Sequence, residues 1–367
     1  MPFSFLQPSY LVHRCRSELR RGNPVILLTP AGKAYLFVAL DTVSPGGWEN
    51  LQQSWPLSWH LVLSHYRWQY IKNRHVTADT PNKPVVIRVP SLSWTAIKSL
   101  LAVEPSFSWE KTTVSTARHV EKVGLTMIHQ AGLMPVAALQ PLLPEQVQEF
   151  LQHHHILAFN INDLNLLKPK ETPAIEFIVE TKLPLAINPD NRLLFFRETG
   201  GEAEHLALII GTPTPQKPVL LRVHSSCLTG DVLGSLRCDC GPQLHHALQL
   251  MGAQGGGILL YLQQEGRNIG LANKLRSYRL QELGADTLDA NLSLGFSADE
   301  RSFQLAVGIL KHLNITTISL LSNNPHKKQA LEKGGIHVHS VVPLQAGKNT
   351  HNQQYLRTKK QRMGHQL

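Results

Sequence analysis

From Gln243 to the C-terminus, helix-like stretches and short apolar runs take turns: "GILLYL", "TTISLLS" and "IHVHSVV" read as strands, and "PHKKQALEKGG" as one of the helices between them. Strands that alternate with helices bury their apolar faces by laying the helices over a largely parallel sheet, so this pattern predicts an α/β architecture. Upstream, "LLFFRE", "LALIIG" and "PVLLRVH" are apolar runs divided by turn residues, which predicts a mostly antiparallel stretch of sheet. The C-terminal part is therefore expected to be a mixed-sheet α/β domain.

The first half reads as α+β. "HRCRSELRRGNPVILLT" predicts a short helix ending at Gly22 and a buried strand from Val25 to Leu28. The spacing of Val120, Val123, Leu125, Ile128 and Leu133 predicts an amphipathic helix, with a strand after Pro135. "LPEQVQEFLQHHHILAFNINDLNLLKPK" predicts a helix after Leu143, a strand around Ile156 to Ile161 and another short helix. The aperiodic, charged "KPKETPA", from Lys168 to Ala174, is the expected boundary between domains 1–170 and 174–367. Two domains also suit 367 residues, a length beyond what one core commonly fills.

Thirty-six Lys and Arg against 26 Asp and Glu give a formal charge of +10, which favours anionic partners, either nucleic acid or phosphorylated small molecules. The chain lacks interleaved aromatic and basic residues and any helix or finger pattern for base reading, so nucleic acid is not the expected partner. No apolar run approaches the roughly 20 residues of a membrane span, and "MPFSFLQPSYLVHRCRSELRR" lacks a secretory pattern; the expected location is cytoplasmic, away from membranes.

Three of the four cysteines crowd into "RVHSSCLTGDVLGSLRCDCG" as Cys227, Cys238 and Cys240. Crowded thiols make a poor disulfide framework. Three thiolates suit a zinc ion whose fourth position stays open for water, as in catalytic sites. Two other readings stand beside it: a structural site completed by His224 or His245, or small buried residues that hold no metal. Cys15 is expected to be an ordinary half-buried thiol, and His153 to His155, at a helix end, solvent-facing.

Other stretches carry weaker signals. In "QQEGRNIGLANKLRSYRLQELGADT", Gly266 and Gly270 allow close backbone approach, Arg267 offers a fork suited to phosphate, and Glu265 can accept two hydrogen bonds from an edge such as guanine presents. A tight turn with solvated charges explains the same residues. "GFSADERSF" sets Asp299 two residues from Arg301, close enough to orient or deprotonate it, although a helix-start carboxylate and a surface arginine fit equally. "LLSNNPHKK" suits an anion at a helix N-terminus, or a plain capped helix.

Taken together and in order, "VETKLP", the cysteine stretch, "LLYLQQEGRNIGLANKLRSY", "DTLDAN", "LGFSADER", "LLSNNPHK" and "YLRTKKQRMGH" resemble GTP cyclohydrolase II from Ile175 to Leu367. That family opens riboflavin biosynthesis. The resemblance implies that Cys227, Cys238 and Cys240 bind catalytic zinc. It implies that Arg222, Val223, His224, Ser225, Ser226, Gln243, Glu265, Gly266, Arg267, Thr287, Ser322 and Lys327 hold GTP. Asp299 is implied as proton acceptor, Arg301 as the nucleophile toward the α-phosphate, and Tyr278 as a participant in ring opening. Mg2+ would accompany the phosphates, the enzyme would be a homodimer, and zinc-activated water would attack C8 of the purine. The products would be formate, pyrophosphate and 2,5-diamino-6-(5-phosphoribosylamino)pyrimidin-4(3H)-one. Ser226 stands where the family commonly has glutamate, Ser322 where threonine is common, and Leu233 where phenylalanine is frequent.

Residues 11 to 170 resemble 3,4-dihydroxy-2-butanone-4-phosphate synthase more faintly, through "LRRGNPVILL", "AGLMPVAAL" and the stretch from Leu143 to Lys170. That synthase carries an acidic, Mg2+-binding loop after its first strand, and this chain has "TPAGKAYLFVALDTVSP" there. Its metal-binding histidine falls at about Val120, beside His119. Lys33 in place of carboxylates cannot supply the oxygen ligands that Mg2+ requires, so this half is expected to keep the fold without the activity. Two alternatives to a full cyclohydrolase remain at this point: a divergent relative that stops at a partial product, and a non-catalytic, zinc-stabilised nucleotide or RNA sensor.

Overall fold

The computed structural model describes residues 8–54, 59–73, 76, 83–89, 92–107, 112–167, 175–198, 203–214 and 217–366. The chain divides into two compact units, Met1–Lys168 with Ala272–Asp299, and Pro169–Leu271 with Glu300–Leu367. The linker expected at 168–174 lies outside the described residues. Residues 272–299, which the sequence reading assigned to the C-terminal domain, cluster with the first half instead.

The first unit is built on a seven-stranded sheet. Its strands are β1 (Val25–Leu28), β2 (Ala34–Ala39), β3 (His60–Leu63), β4 (Val85–Arg88), β5 (Thr113–Thr116), β6 (Val136–Leu142) and β7 (Ala158–Asn160), in the order β5-β4-β3-β6-β2-β1-β7. Only the β1–β7 pair runs parallel; the rest are antiparallel. Alternate residues Val25 and Leu27, Phe37 and Ala39, and Ala137 and Leu139 present one apolar face. Val12, Cys15 and Leu19 from the helix Pro8–Arg20 cover it, together with Val123, Met127 and Ile128 from the helix His119–Gln130. Cys15 is thus fully buried rather than half-buried, and burial pushes its thiol up to about 12. The first helix stops where Gly22, at φ 83°, brings its backbone against the carbonyl of Thr42, an approach no side chain would allow.

Strands β1 and β2 form a tight hairpin whose turn is closed by Thr29 N–H donating to the Lys33 carbonyl at 2.8 Å. His119, the first residue of its helix, is exposed, as are His153 to His155.

The second unit holds another seven-stranded sheet: β8 (Ile175–Lys182), β9 (Asn191–Glu198), β10 (Glu204–Gly211), β11 (Val219–Ser225), β12 (Gly256–Leu262), β13 (Thr317–Leu321) and β14 (His337–Val342), ordered β14-β13-β11-β12-β10-β9-β8. Strands β8, β9, β10 and β12 pair antiparallel, whereas β12, β11, β13 and β14 pair parallel. The strand "PVLLRVH" therefore joins the parallel half, not the antiparallel one expected for it: β11 pairs β12 and β13. Val219, Leu221 and Val223 face a core filled by Leu305 to Leu310 of the helix Gln304–His312. Leu220 faces Ala247 and Met251 of the helix Cys240–Ala253. Because β11 lies between β12 and β13, chain connections diverge around its carboxyl end, the place where open α/β sheets bind ligands. No helix among the described residues is long and apolar enough to cross a membrane.

Candidate functional site

The cysteine stretch begins at the carboxyl end of β11. Ser226 extends the strand by donating its N–H to the Leu262 carbonyl at 2.8 Å, and Cys227 follows in a wide turn, Leu228–Val232. Cys238 precedes, and Cys240 opens, the helix Cys240–Ala253. The three sulfur atoms lie within 4.8 Å of one another, and Cys227 Sγ is 3.8 Å from Cys238 Sγ. Gly230 lies over them so closely that a Cβ there would stand 2.8 Å from Cys238 Sγ and 3.0 Å from Cys227 Sγ. Sharing thiol hydrogen bonds with Cys227, and then burial, push Cys238 up to about 11 and Cys240 well above the ordinary thiol range. Three sulfurs this close, two of them on buried cysteines and one on a half-buried cysteine, can all become thiolates only around a cation, and soft donors in this number suit zinc. Among the described residues this is the one convergence of three metal-ligating side chains, and no fourth joins it.

Asp231 braces the loop. Its carboxylate accepts hydrogen bonds from Cys227 N at 3.0 Å, Tyr261 Oη at 2.9 Å and His224 Nε2 at 3.1 Å. The His224 ring stacks on Tyr261, 5.6 Å between centroids, and burial holds its pKa below the usual imidazole value. With Nε2–H given to Asp231, Nδ1 is left as an acceptor, buried and without a protein partner. Ser225 Oγ and Ser226 Oγ are likewise buried and unpartnered. Buried polar atoms are normally satisfied, so three orphans in succession beside the thiols point to a polar ligand there.

Beneath the loop runs a second relay. Arg222 donates to Gln243 Oε1 at 2.6 Å and to the Leu321 carbonyl at 3.0 Å; Gln243 donates to Asp239 Oδ2 at 2.6 Å; Lys359 Nζ sits 2.7 Å from Asp239 Oδ1. Burial pulls the Arg222 guanidinium down to about 10. Burial alone would raise the Asp239 carboxyl, but the charge and hydrogen bond of Lys359 hold it below the usual range.

The residues after β12 adopt an uncommon backbone: Gly266, Arg267 and Asn268 lie at φ 63°, 61° and 70°. Consecutive non-glycine residues in the left-handed region are strained, and such strain gathers at ligand sites. Glu265 Oε2 accepts from Leu228 N at 2.7 Å and Oε1 from Gly266 N at 2.9 Å, so it ties this turn to the cysteine loop. After β13, Ser322 Oγ accepts from Asn324 N and Asn324 caps the helix Pro325–Lys333, which is the capped-helix reading of "LLSNNPHKK". Lys327 turns inward to donate to the Val223 carbonyl at 2.6 Å, and its Nζ lies 5.5 Å from the centre of the Phe303 ring, against which Arg301 also packs at 5.2 Å.

The second unit thus gathers Arg222 to Ser226, Gln243, Glu265 to Arg267, Arg301, Ser322 and Lys327 with the three clustered cysteines. Tyr278, Thr287 and Asp299 belong by packing to the first unit. Tyr278 has Lys274 Nζ 5.8 Å from its ring centre, and Thr287 opens the helix Thr287–Ser293 behind the cap Asp286. Sequence reasoning missed Asp231, Asp239, Lys359 and His365. Two of them had a visible signal: an aspartate inside the cysteine turn and another between two of the cysteines.

The sequence matches the family model for GTP cyclohydrolase II over residues 176–343. A GTP cyclohydrolase-2 of Azospirillum brasilense is 35% identical over 376 residues, covering 96% of this chain and 93% of its own. One from Azotobacter vinelandii is 52% identical over 194 residues, covering 53% of this chain and 93% of its own. The riboflavin biosynthesis protein RibBA of Phocaeicola vulgatus is 40% identical over 273 residues, with 72% of this chain and 67% of its own covered. Among solved structures, a two-domain 3,4-dihydroxy-2-butanone 4-phosphate synthase from A. baumannii aligns over 91% of this chain and 99% of its own, at 17% identity and a TM-score of 0.33.

Proposed function

The chain belongs to the GTP cyclohydrolase II family, a hydrolase of riboflavin biosynthesis, and from that premise we propose that it converts GTP to 2,5-diamino-6-(5-phosphoribosylamino)pyrimidin-4(3H)-one, formate and pyrophosphate. Cys227, Cys238 and Cys240 would hold zinc, which when bound supplies a Lewis acid able to acidify a water molecule for hydrolysis.

The chain's own residues account for the remaining demands. Arg267, Arg301 and Lys327 supply positive charge for a triphosphate and its Mg2+. Their effect is felt at His365, which burial and then Lys359, Arg267, Arg301 and Lys327 push down to about 3. His224 Nδ1, Ser225 Oγ and Ser226 Oγ offer the acceptor and hydroxyls that a purine nucleotide can satisfy. Asp299 is assigned the proton of Arg301, whose nitrogen attacks the α-phosphorus as the bond to pyrophosphate breaks. A guanidinium is ordinarily charged and a weak nucleophile, so a carboxylate that takes its proton is required for this step. Tyr278 is assigned to ring opening, and Thr287 and Ser322 to holding GTP. Ser226 lacks the carboxylate common in the family at that position, so it adds no charge beside the first cysteine.

We assign the N-terminal half a synthase-like fold without synthase activity, because Lys33 closes the β1–β2 turn where that chemistry requires acidic ligands. The enzyme is proposed to act in the cytoplasm as a homodimer, which sedimentation of the purified protein would test.

The convergence of three cysteine sulfurs at the carboxyl end of β11, next to three orphaned polar atoms, is the observation that carries this reading. Incubation of metal-replete protein with GTP and Mg2+ should yield formate, pyrophosphate and the pyrimidine by mass. Cys238→Ser should lose zinc and turnover with an unchanged far-UV circular dichroism spectrum. A parent protein that binds GTP without consuming it would mark a sensor, and accumulation of a formylated pyrimidine would mark an enzyme that stops early.

A further inference from the structure

Residues 272–299 leave the second unit after Leu271 and return to it at Glu300, yet pack as part of the first unit. They carry Tyr278, Thr287 and Asp299. We propose that the N-terminal half is the seat of this segment, and that Arg67 is the positioning residue that holds it, so that hydrolysis of GTP depends on the half that lacks its own chemistry. This inference rests on the cyclohydrolase reading given above.

Arg67, on the helix His65–Asn73, is completely buried. One end of its fork donates to the Ser293 carbonyl at 2.9 Å, and the other to the Leu100 and Ala102 carbonyls at 2.7 and 2.6 Å. Leu100 and Ala102 lie at the end of the helix Trp94–Leu101, and Ser293 ends the helix Thr287–Ser293. A helix C-terminus carries about half a negative charge, so two of them converging on one guanidinium offset much of the cost of burying it. A lysine ammonium lacks the planar fork that reaches both ends at once. The Tyr70 ring lies 5.6 Å from the guanidinium carbon, and its hydroxyl donates to the Val103 carbonyl at 3.0 Å.

Four further contacts hold the same segment independently. Gly295, at φ 97°, approaches so closely that a Cβ would fall on Ser64 Oγ and Pro135 Cγ and stand 3.2 Å from Arg67 Cβ. The next residue, Phe296, is buried against the His129 ring at 5.2 Å. Earlier in the segment, Arg276 donates to both oxygens of Asp41 at 2.6 and 3.1 Å, and Asn273 Nδ2 donates to the Gly132 carbonyl at 2.9 Å. The glycine and aromatic of "LGFSADER" thus have a packing purpose, and they stand just ahead of Asp299.

The test uses the full-length protein. Arg67→Met and Arg67→Lys are compared with the parent for hydrogen–deuterium exchange over residues 287–299 and 227–240, zinc content, and kcat and KM for GTP. Arg67→Met should exchange faster over 287–299, keep parental exchange over 227–240 and parental zinc, and lose kcat by on the order of 10- to 100-fold, since a small misplacement of reacting groups has that effect. Arg67→Lys should recover part of the loss. Unchanged exchange over 287–299, or faster exchange with parental kcat, overturns the proposal. Should Arg67→Met not fold, Arg276→Gln weakens a milder contact: faster exchange over 272–282 with a smaller fall in kcat supports the seat, and a parental kcat despite that loosening refutes it. If the parent does not turn over GTP, the cyclohydrolase reading fails, and the exchange result alone decides whether Arg67 seats the segment.

Discussion

Lys359 Nζ sits 2.7 Å from Asp239 Oδ1, in an ion pair whose side chains are only 11% and 2% exposed. Asp239 stands between Cys238 and Cys240, so a lysine near the end of the chain fixes the spacing of two sulfurs far from it in sequence. Asn352, fully buried on the same C-terminal stretch, points Nδ2 toward the Cys238 carbonyl at 3.5 Å.

Replacing Lys359 by Met should therefore weaken both fold and metal site. It strands a buried carboxylate, a change that costs about 3–5 kcal/mol in comparable pairs. Urea unfolding should show a loss of that order, and competition with a chromogenic chelator should show weaker zinc retention. Lys359→Met unfolding like the parent would show that the pair contributes nothing.

Gly230→Ala removes no sulfur yet sets a methyl group 2.8 Å from Cys238 Sγ and 3.0 Å from Cys227 Sγ, so the sulfurs must shift. Displacing ligands without removing them should lower zinc affinity about 10- to 100-fold, the range seen when groups that orient ligands are changed. Metal-binding isotherms would measure it, and parental affinity would mean the cradle is looser than its distances indicate.

Acid should loosen the C-terminal tail. His365 N–H donates to the Lys359 carbonyl at 3.0 Å and Gln366 N–H to the Asn323 carbonyl at 2.9 Å. Burial, then Lys359, Arg267, Arg301 and Lys327, lower the His365 pKa from 6.5 to about 3. Between those values the unfolded chain takes up a proton that the folded chain refuses, so stability is greatest above pH 6.5 and declines as the pH falls toward 3. Thermal unfolding midpoints of the parent should drop more steeply from pH 7.5 to 5 than those of His365→Gln. Parallel curves would place the pH dependence elsewhere.

Much of this arrangement was legible in the sequence, because it depends on local pattern. The apolar run at Val25 to Leu28 and the periodicity from Val120 to Ile128 set strand and helix directly, and the three cysteines announced themselves by donor type and spacing. Long-range choices left no such mark. Leu220 and Leu221 would face opposite layers in a parallel or an antiparallel pair, so nothing in "PVLLRVH" selects β12 and β13 as neighbours of β11. Likewise Leu288, Leu292 and Phe296 need burial but do not say against which half, and the fork of Arg67 could not be matched in advance to the Ser293 carbonyl. The type of Glu265 marks it as an acceptor, but the backbone N–H groups of Leu228 and Gly266 that it accepts from become its neighbours only after folding, so its tie to the cysteine loop left no trace in the sequence.

The grip of Lys359 on Asp239 also has a bearing on biosynthesis. Polypeptides fold from the amino end as they emerge from the ribosome, so the thiols are made well before the cation that steadies the turn between them. Any chain interrupted ahead of Lys359 would carry all three sulfurs with an unneutralised acid in their midst, and cellular proteases would find that turn open.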